Sequence, residues 1–287
     1  MSGWLMRLPS SVFNKEVNYG RNTSHRNHTA VDRAQMEDLA YLGVIAIIAA
    51  VVLALLLIPL AYRLWSWLGT MFLLTGSGLV TSHGVTGYWR GLLIDQRNRI
   101  SLSRLQASLW TLITSSSYAS AALFNIRFGQ SDPLMIAIPA GIWVLMGISA
   151  TSLVGTPLIQ NYKQNQDPNE EETTKTLTQL SAQHVDTSQV DTAGRLLVNK
   201  SPADAKWTDL FRGEEVGNAA QIDLGKTQLF YFTNILVFVY TITLGSLFAH
   251  QPAVISSFPD LNQGILTLLG ISNGAYLTNK AVPHSTS

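Results

Sequence analysis

Two patterns in the sequence set a cation two residues before an amide: Arg104 with Gln106, and Lys226 with Gln228. Each lies at the start of a long apolar stretch. A cation there can bind anionic lipid headgroups or fix the depth of a helix. A glutamine there can cap a neighbouring helix end or hydrogen-bond across a helix interface. A third group is Trp207, Leu210 and Phe211, whose spacing gives a short amphipathic turn. Such a turn can lie on a membrane, dock on a bundle or bind a partner. Thr111, Thr114, Ser115 and Tyr118, with Ser149, Thr151 and Ser152, supply hydroxyls for a narrow water or ion path. Close helix packing uses the same residue types and is the preferred reading.

No catalytic, cofactor or metal site is expected. Thr81-Ser82-His83 has a hydroxyl and an imidazole but no acid in a triad-like pattern. Gly225-Lys226 lacks the glycine spacing of a phosphate-binding loop. His25 and His28 have no third ligand nearby. With no cysteine, disulfides and thiolate metal sites are excluded. The net charge of +1 gives no reason to expect nucleic acid as a partner. A transporter or proton pump usually carries an ionisable residue inside the membrane, and the apolar stretches hold none well inside.

The elements that would position these residues are apolar helices. Only 13% of the 287 residues are charged, against a usual ~25%. Eighteen of the 37 charges fall between Lys163 and Lys226. A polar tail, 1–38, is followed by Leu39–Tyr62, long enough for a first transmembrane helix. Arg63, Trp65 and Trp67 then read as interfacial anchors. The segment 63–99 is expected to be interfacial or re-entrant, because Leu64, Trp65, Leu68 and Phe72 share a helical face in an apolar run that is short and glycine-containing. Further spans are expected at Leu105–Ile126, Leu134–Ile159, Thr227–Ala249 and Leu261–Asn279. Residues 160–221 are poor in apolar periodicity, so a largely disordered linker is expected there. The acid run Glu170–Glu172 reads as part of that solvated linker. Residues 281–287 form a short C-terminal tail.

Self-comparison points to a duplication. Ile100-Ser-Leu-Ser-Arg-Leu-Gln106 matches Ile222-Asp-Leu-Gly-Lys-Thr-Gln228, Trp110-Thr111 matches Phe232-Thr233, Pro139 matches Pro259, and Gly147-Ile-Ser149 matches Gly270-Ile-Ser272. Each copy reads as a helical hairpin, at 100–159 and 222–280. Both begin on the same side, so the repeats are parallel. Arg90, Arg97, Arg99, Arg104, Lys163, Lys226 and Lys280 flank the linker side, which the positive-inside rule makes cytoplasmic together with the C-terminus. The side of the N-terminus depends on whether 64–82 crosses.

The motifs at Ser101–Gln106, Leu224–Gln228, Gly147–Ser149 and Leu269–Ser272 resemble those of an uncharacterised bacterial multi-pass membrane family with duplicated hairpins. Trp207–Glu215 resembles that family's pre-span segment. This chain departs at Gly225 and at Lys226, where arginine would match. The resemblance covers roughly 90–280 and implies no reaction, cofactor or substrate. It does imply an anchoring role, since some such proteins accompany contractile injection systems.

The expected fold is therefore an all-α transmembrane helical bundle: one N-terminal span and two parallel-repeat hairpins. It would sit in a bacterial inner (or thylakoid) membrane. The expected function is non-enzymatic, a membrane anchor or scaffold for a cytoplasmic protein partner, with homo-oligomerisation open. The alternative is a small channel or transporter. Candidate binding residues for partner or lipid are Arg104, Gln106, Lys226, Gln228, Trp207, Leu210 and Phe211.

Overall fold

The computed structural model describes residues 39, 41–50, 53, 62–250 and 254–284. The polar tail 1–38 and most of the first expected span, Leu39–Tyr62, lie outside them. What is described of that span is a helix, α1 (Tyr41–Ala50). The chain then forms α2 (Arg63–Thr86), α3 (Leu102–Arg127), α4 (Ala140–Gln164), α5 (Glu170–Ala182), a hairpin of β1 (Val190–Ala193) and β2 (Leu196–Asn199), and finally α6 (Leu224–His250) and α7 (Gln263–Ala281). The fold is mostly helical. Two helices, α4 and α6, are long and apolar enough to cross a membrane.

Five helices pack into a bundle. α3 lies between α2 and α4, α7 lies between α4 and α6, and α2 meets α6; α3 and α6 also touch across the middle. The two hairpins, α3–α4 and α6–α7, keep one register. Pairing Ile100 with Ile222 sets Leu102, the first residue of α3, on Leu224, the first of α6. At the far end, the loops joining each hairpin lie side by side. Ala137 N donates to Ser256 O at 2.8 Å, and Phe258 N donates to Ala137 O at 3.0 Å. Asn125 ties these loops to α3 by exchanging bonds with the backbone of Ile255, at 2.8 and 2.9 Å.

Within the segment 63–99, expected to be interfacial or re-entrant, residues 63–86 form one continuous helix, α2, running the length of the bundle, and 87–99 form turns and a loop. Arg63 stacks on the Phe128 ring, 4.5 Å from its centre, at the C-terminal end of α3. Trp67 stacks on Phe248 near the end of α6, 5.1 Å between centroids. At the other end, Ser82 Oγ accepts from Leu92 N at 2.8 Å, close to the start of α3. The buried face is Arg63, Ser66, Trp67 and Thr70, at i, i+3, i+4 and i+7. Trp65 and Phe72, on the face expected to be interfacial, are exposed. The inward face therefore mixes polar Arg63, Ser66 and Thr70 with Trp67, and Leu64, Leu68, Met71 and Leu73 pack beside it. Gly43 of α1 approaches Val80 near the opposite end of α2 from Arg63.

Residues 160–221 are not a largely disordered linker. They complete α4 and then fold into a cap over the end of the bundle. Asn169 caps α5 by accepting from Glu172 N at 3.0 Å, and Glu170–Glu172 fill its first turn, where the helix dipole favours acids. Leu180, Leu197, Val216 and Ala219 form a small core of their own, with Leu177, Val185 and Val190 against it. A third extended stretch lies on β2: Leu197 N donates to Glu214 O and Val216 N to Arg195 O, both at 2.9 Å. The apolar residues are too scattered for a periodic signal, yet converge in space.

The β1–β2 turn locks the cap to α4. Gly194 has φ 56, and a Cβ there would run into the backbone carbonyls of Lys163 and Gln164. Its neighbour Arg195 N donates to Lys163 O at 3.1 Å, satisfying a helix-end carbonyl. Gly194→Ala combines backbone strain with that clash and should cost about 1–3 kcal/mol. Thermal unfolding of the purified protein checks this; a melting temperature equal to wild type would contradict the packing described.

Candidate functional site

The cap meets the bundle at a buried cluster of charges. Glu214 stands at its centre, carried on the stretch paired with β2. Its Oε1 is 2.7 Å from Lys280 Nζ, 2.8 Å from Lys226 Nζ and 3.3 Å from an Arg97 nitrogen. Arg97 also makes a two-pronged contact with Asp95, at 2.7 and 3.0 Å. Gln160 on α4 bridges the two acids, donating to Asp95 Oδ2 and Glu214 Oε2 at 3.2 Å each. Beside it Glu215 pairs with Lys163, whose ammonium also donates to the Lys280 and Val282 carbonyls at the end of α7.

Local chain geometry explains the positions. Residues 94–100 form a tight loop in which Ile94 pairs with Ile100 and Asn98 takes φ 56, directing Asp95 and Arg97 inward. The loop is held from the cap by a reciprocal pair: Asn98 Nδ2 donates to Asn199 O at 2.8 Å, and Asn199 Nδ2 to Asn98 O at 2.9 Å. Lys163 and Lys280 lie in the last turns of α4 and α7, where cations suit the helix dipole. Lys226 lies in the first turn of α6, the wrong end for a cation, so Glu214 is its necessary partner.

The electrostatics follow from burial and charge together. Burial alone would raise the Glu214 carboxyl; Arg97, Lys226 and Lys280 outweigh it and hold the group well below the usual carboxylate range. Asp95 shows the same contest: burial raises it, Glu214 raises it further, and Arg97 wins. Burial draws Arg99 down to about 10, with Asp209 opposing, so it stays charged at neutral pH. The space among Glu214, Lys226 and Lys280 is about 10 Å³, roughly one water. The cluster is filled by its own side chains and acts as a clamp.

The residues singled out in the sequence have separate places. Lys226 is buried in the clamp and also donates to Arg212 O at 2.8 Å, so it does not face lipid. Arg104, its match in the first hairpin, lies outside the cluster against a cleft between α3 and α4. Gln228 donates to Ser272 Oγ at 3.3 Å, across the α6–α7 interface. Gln106 is fully buried, and its amide oxygen and nitrogen find no protein partner; nor does the hydroxyl of Ser149, the match of Ser272. Trp207, Leu210 and Phe211 lie on a single 3-10 turn and just beyond it. Leu210 enters the bundle core and Phe211 packs edge-on against Phe230, 4.9 Å between centroids. Only Trp207 remains exposed.

The hydroxyl group splits. Thr111, Ser115 and Thr151 face outward, whereas Ser149 and Ser152 are buried, as are Ser116, Ser117 and Ser120. A polar column runs from the clamp into the bundle: Tyr276 OH lies 3.1 Å from Lys280 Nζ and 3.3 Å from Ser103 Oγ, and Ser103 lies 3.0 Å from Thr156. Ser152 bonds Asn273 further along. Sequence reasoning missed Asp95, Gln160, Glu214 and Glu215 as site residues. It places Arg97, Lys163 and Lys280 only as topology-setting charges, and Lys226 as a candidate for lipid or a partner. The available signal was four bases at the ends of four apolar stretches, which need acids if they are buried.

Removing one partner of a buried charge cluster strands the others, at about 3–5 kcal/mol. Glu214→Gln should lose that much at pH 7, read by chemical unfolding. Because the folded carboxyl is depressed, its contribution is fully present above the ordinary value of 4.5 and fades as pH falls through the lower folded value. Wild type should therefore lose stability below that pH more steeply than the variant; parallel acid profiles would contradict the clamp. Comparison with protein-family models, curated proteins and solved structures gives no match, so the functional reading rests on this geometry.

Proposed function

We propose that the protein is an integral, multi-pass membrane protein that serves as a non-enzymatic anchor or scaffold, presenting its cap to a cytoplasmic partner complex. The observation that carries it is the pairing of an apolar exterior with a folded polar cap clamped to one end. Along the helices, Phe72, Trp143, Leu158, Ile235, Phe238 and Ile271 are exposed, whereas Gln106, Ser117, Ser120, Ser152, Thr233 and Asn273 are buried. In water such a surface would be a large aggregation liability. In a bilayer it is the expected arrangement, because lipid gives apolar side chains no reason to turn inward.

In this reading the bundle is two duplicated hairpins plus α1 and α2, with cap and C-terminus cytoplasmic. If α2 crosses, as its full-length packing supports, the start of α1 lies on the cap side too. The cap offers exposed Trp207 and the acidic first turn of α5. An exposed tryptophan on a rigid support suits a binding hot spot.

The test is capture of the tagged protein from native membrane in mild detergent, read by mass spectrometry. A soluble protein recovered near one-to-one, and lost with Trp207→Ala, supports the anchor. Recovery of the chain alone, unchanged by that substitution, counts against it.

One observation favours a channel or transporter as a second reading. Gln106, Thr114, Ser117, Ser120, Ser149 and Thr233 carry buried polar atoms with no protein partner. Buried polar groups are normally satisfied by protein or water, so this seam calls for internal water. A conducting seam would lose most of its flux in liposomes carrying Ser149→Leu; equal flux with and without protein would remove this reading.

A further inference from the structure

The register that pairs the two hairpins extends upstream without a gap. Trp89-Arg90-Gly91 matches Phe211-Arg212-Gly213, Leu92 matches Glu214, Ser101 matches Asp223, and Arg104 matches Lys226. Both glycines are required by close approach, to Thr86 in one copy and Asn218 in the other. The matched positions then differ in one respect: the second copy supplies its own anions. Asp223 Oδ1 accepts from Lys226 N at 3.0 Å, capping the first turn of α6, and Glu214 neutralises the Lys226 side chain.

The first copy has the cation without the anions. Leu92 stands where Glu214 would be. Ser101 stands where Asp223 would be, and its side chain makes no cap bond to α3. Ser101 is only 3% exposed. Among the described residues Arg104 makes no hydrogen bond or ion pair. In place of the missing carboxylates there is a cleft of about 370 Å³ whose lining includes Leu92, Ser101, Arg104, Ala107, Leu153 and Pro157, far more than one water needs. One acid, Asp95, borders it, but Arg97 and Gln160 already occupy its oxygens. The cleft is polar toward the cap and apolar toward mid-bundle.

We propose that this cleft seats the headgroup of an anionic phospholipid, its phosphate against Arg104 and the uncapped first turn of α3. Its acyl chains would run past Ala107, Leu153 and Pro157. The lipid supplies from outside the negative charge that Asp223 and Glu214 supply inside the second copy. An N-terminal helix turn and an arginine are both suited to a phosphate, and the apolar lower wall favours a lipid over a free ion. The inference rests on the membrane reading above.

The test uses the full chain purified in detergent and titrated with phosphatidylglycerol or phosphatidylcholine under native mass spectrometry. Wild type should retain phosphatidylglycerol preferentially. Arg104→Gln should weaken that retention about fivefold, the effect of one cation at an anionic surface, and leave phosphatidylcholine unchanged. Leu92→Glu, which imports the second copy's internal acid, should also displace phosphatidylglycerol while keeping or raising the melting temperature, so loss of lipid is separated from loss of fold. Equal retention by wild type and Arg104→Gln overturns the proposal. So does inorganic phosphate that competes as well as the lipid, which would make the ligand a soluble anion. Release of the protein from cell membranes by alkaline carbonate overturns the membrane reading itself; retention there without lipid preference overturns the lipid site alone.

Discussion

Glu214 gathers three cations from three separate places in the chain: Arg97 before α3, Lys226 at the start of α6 and Lys280 at the end of α7. A single carboxylate thereby decides that both hairpins end at one level and that the cap sits over them. Four bases buried at the ends of apolar helices would be intolerable alone, since each buried unpaired charge costs several kcal/mol. With Asp95, Glu214 and Glu215 they become the best-satisfied region of the molecule. The clamp also explains why the cap is folded. Its own core is small, so most of its ordering must come from being held against the bundle, through the Glu214 cluster, the Asn98–Asn199 exchange and the Gly194 turn.

Below the clamp a different logic holds. The helices meet around an apolar core that includes Trp67, Trp110, Phe124, Leu145, Leu244 and Phe248, bury serine, threonine, glutamine and asparagine beside it, and leave many other leucine, phenylalanine and tryptophan side chains exposed. Interhelical hydrogen bonds such as Gln228 to Ser272 and Ser152 to Asn273 contribute about 1 kcal/mol each. Packing of the buried aromatic and aliphatic side chains, with small residues between them, supplies the rest. The two hairpins are not equally finished. The second satisfies its glutamine and its cation internally, whereas in the first Gln106 and Ser149 lack protein partners and Arg104 borders an open cleft. A bundle with two matched halves and one incomplete half has room to bind something the other half does not need.

The helices themselves could be read from composition. Long uncharged stretches with bases at their ends mark α3, α6 and α7 nearly to their boundaries, whereas α4 begins and ends later than its stretch Leu134–Ile159. Two regions were misread for identifiable reasons. In α2 a short, glycine-containing apolar run reads as interfacial or re-entrant, because the run by itself does not show that Ser66, Trp67 and Thr70 pack inward. In the cap, low apolar content was read as disorder, although Asn169 before Glu170–Glu172 already marked a helix start.

What the sequence by itself determined is local: that the long uncharged stretches of α3, α4, α6 and α7 are helical, and roughly where each lies. Those follow from runs, periods and caps, each contained within a few turns of chain. Only the tertiary structure decided which acid answers which base, that Lys226 is spent while Arg104 is not, and that Leu210 and Phe211 belong to the core while Trp207 does not. Those outcomes depend on residues of separate elements, some near and some distant in sequence, meeting in a place from which water is excluded. Charge partnership of this kind is set by packing, and no pattern along the chain encodes it.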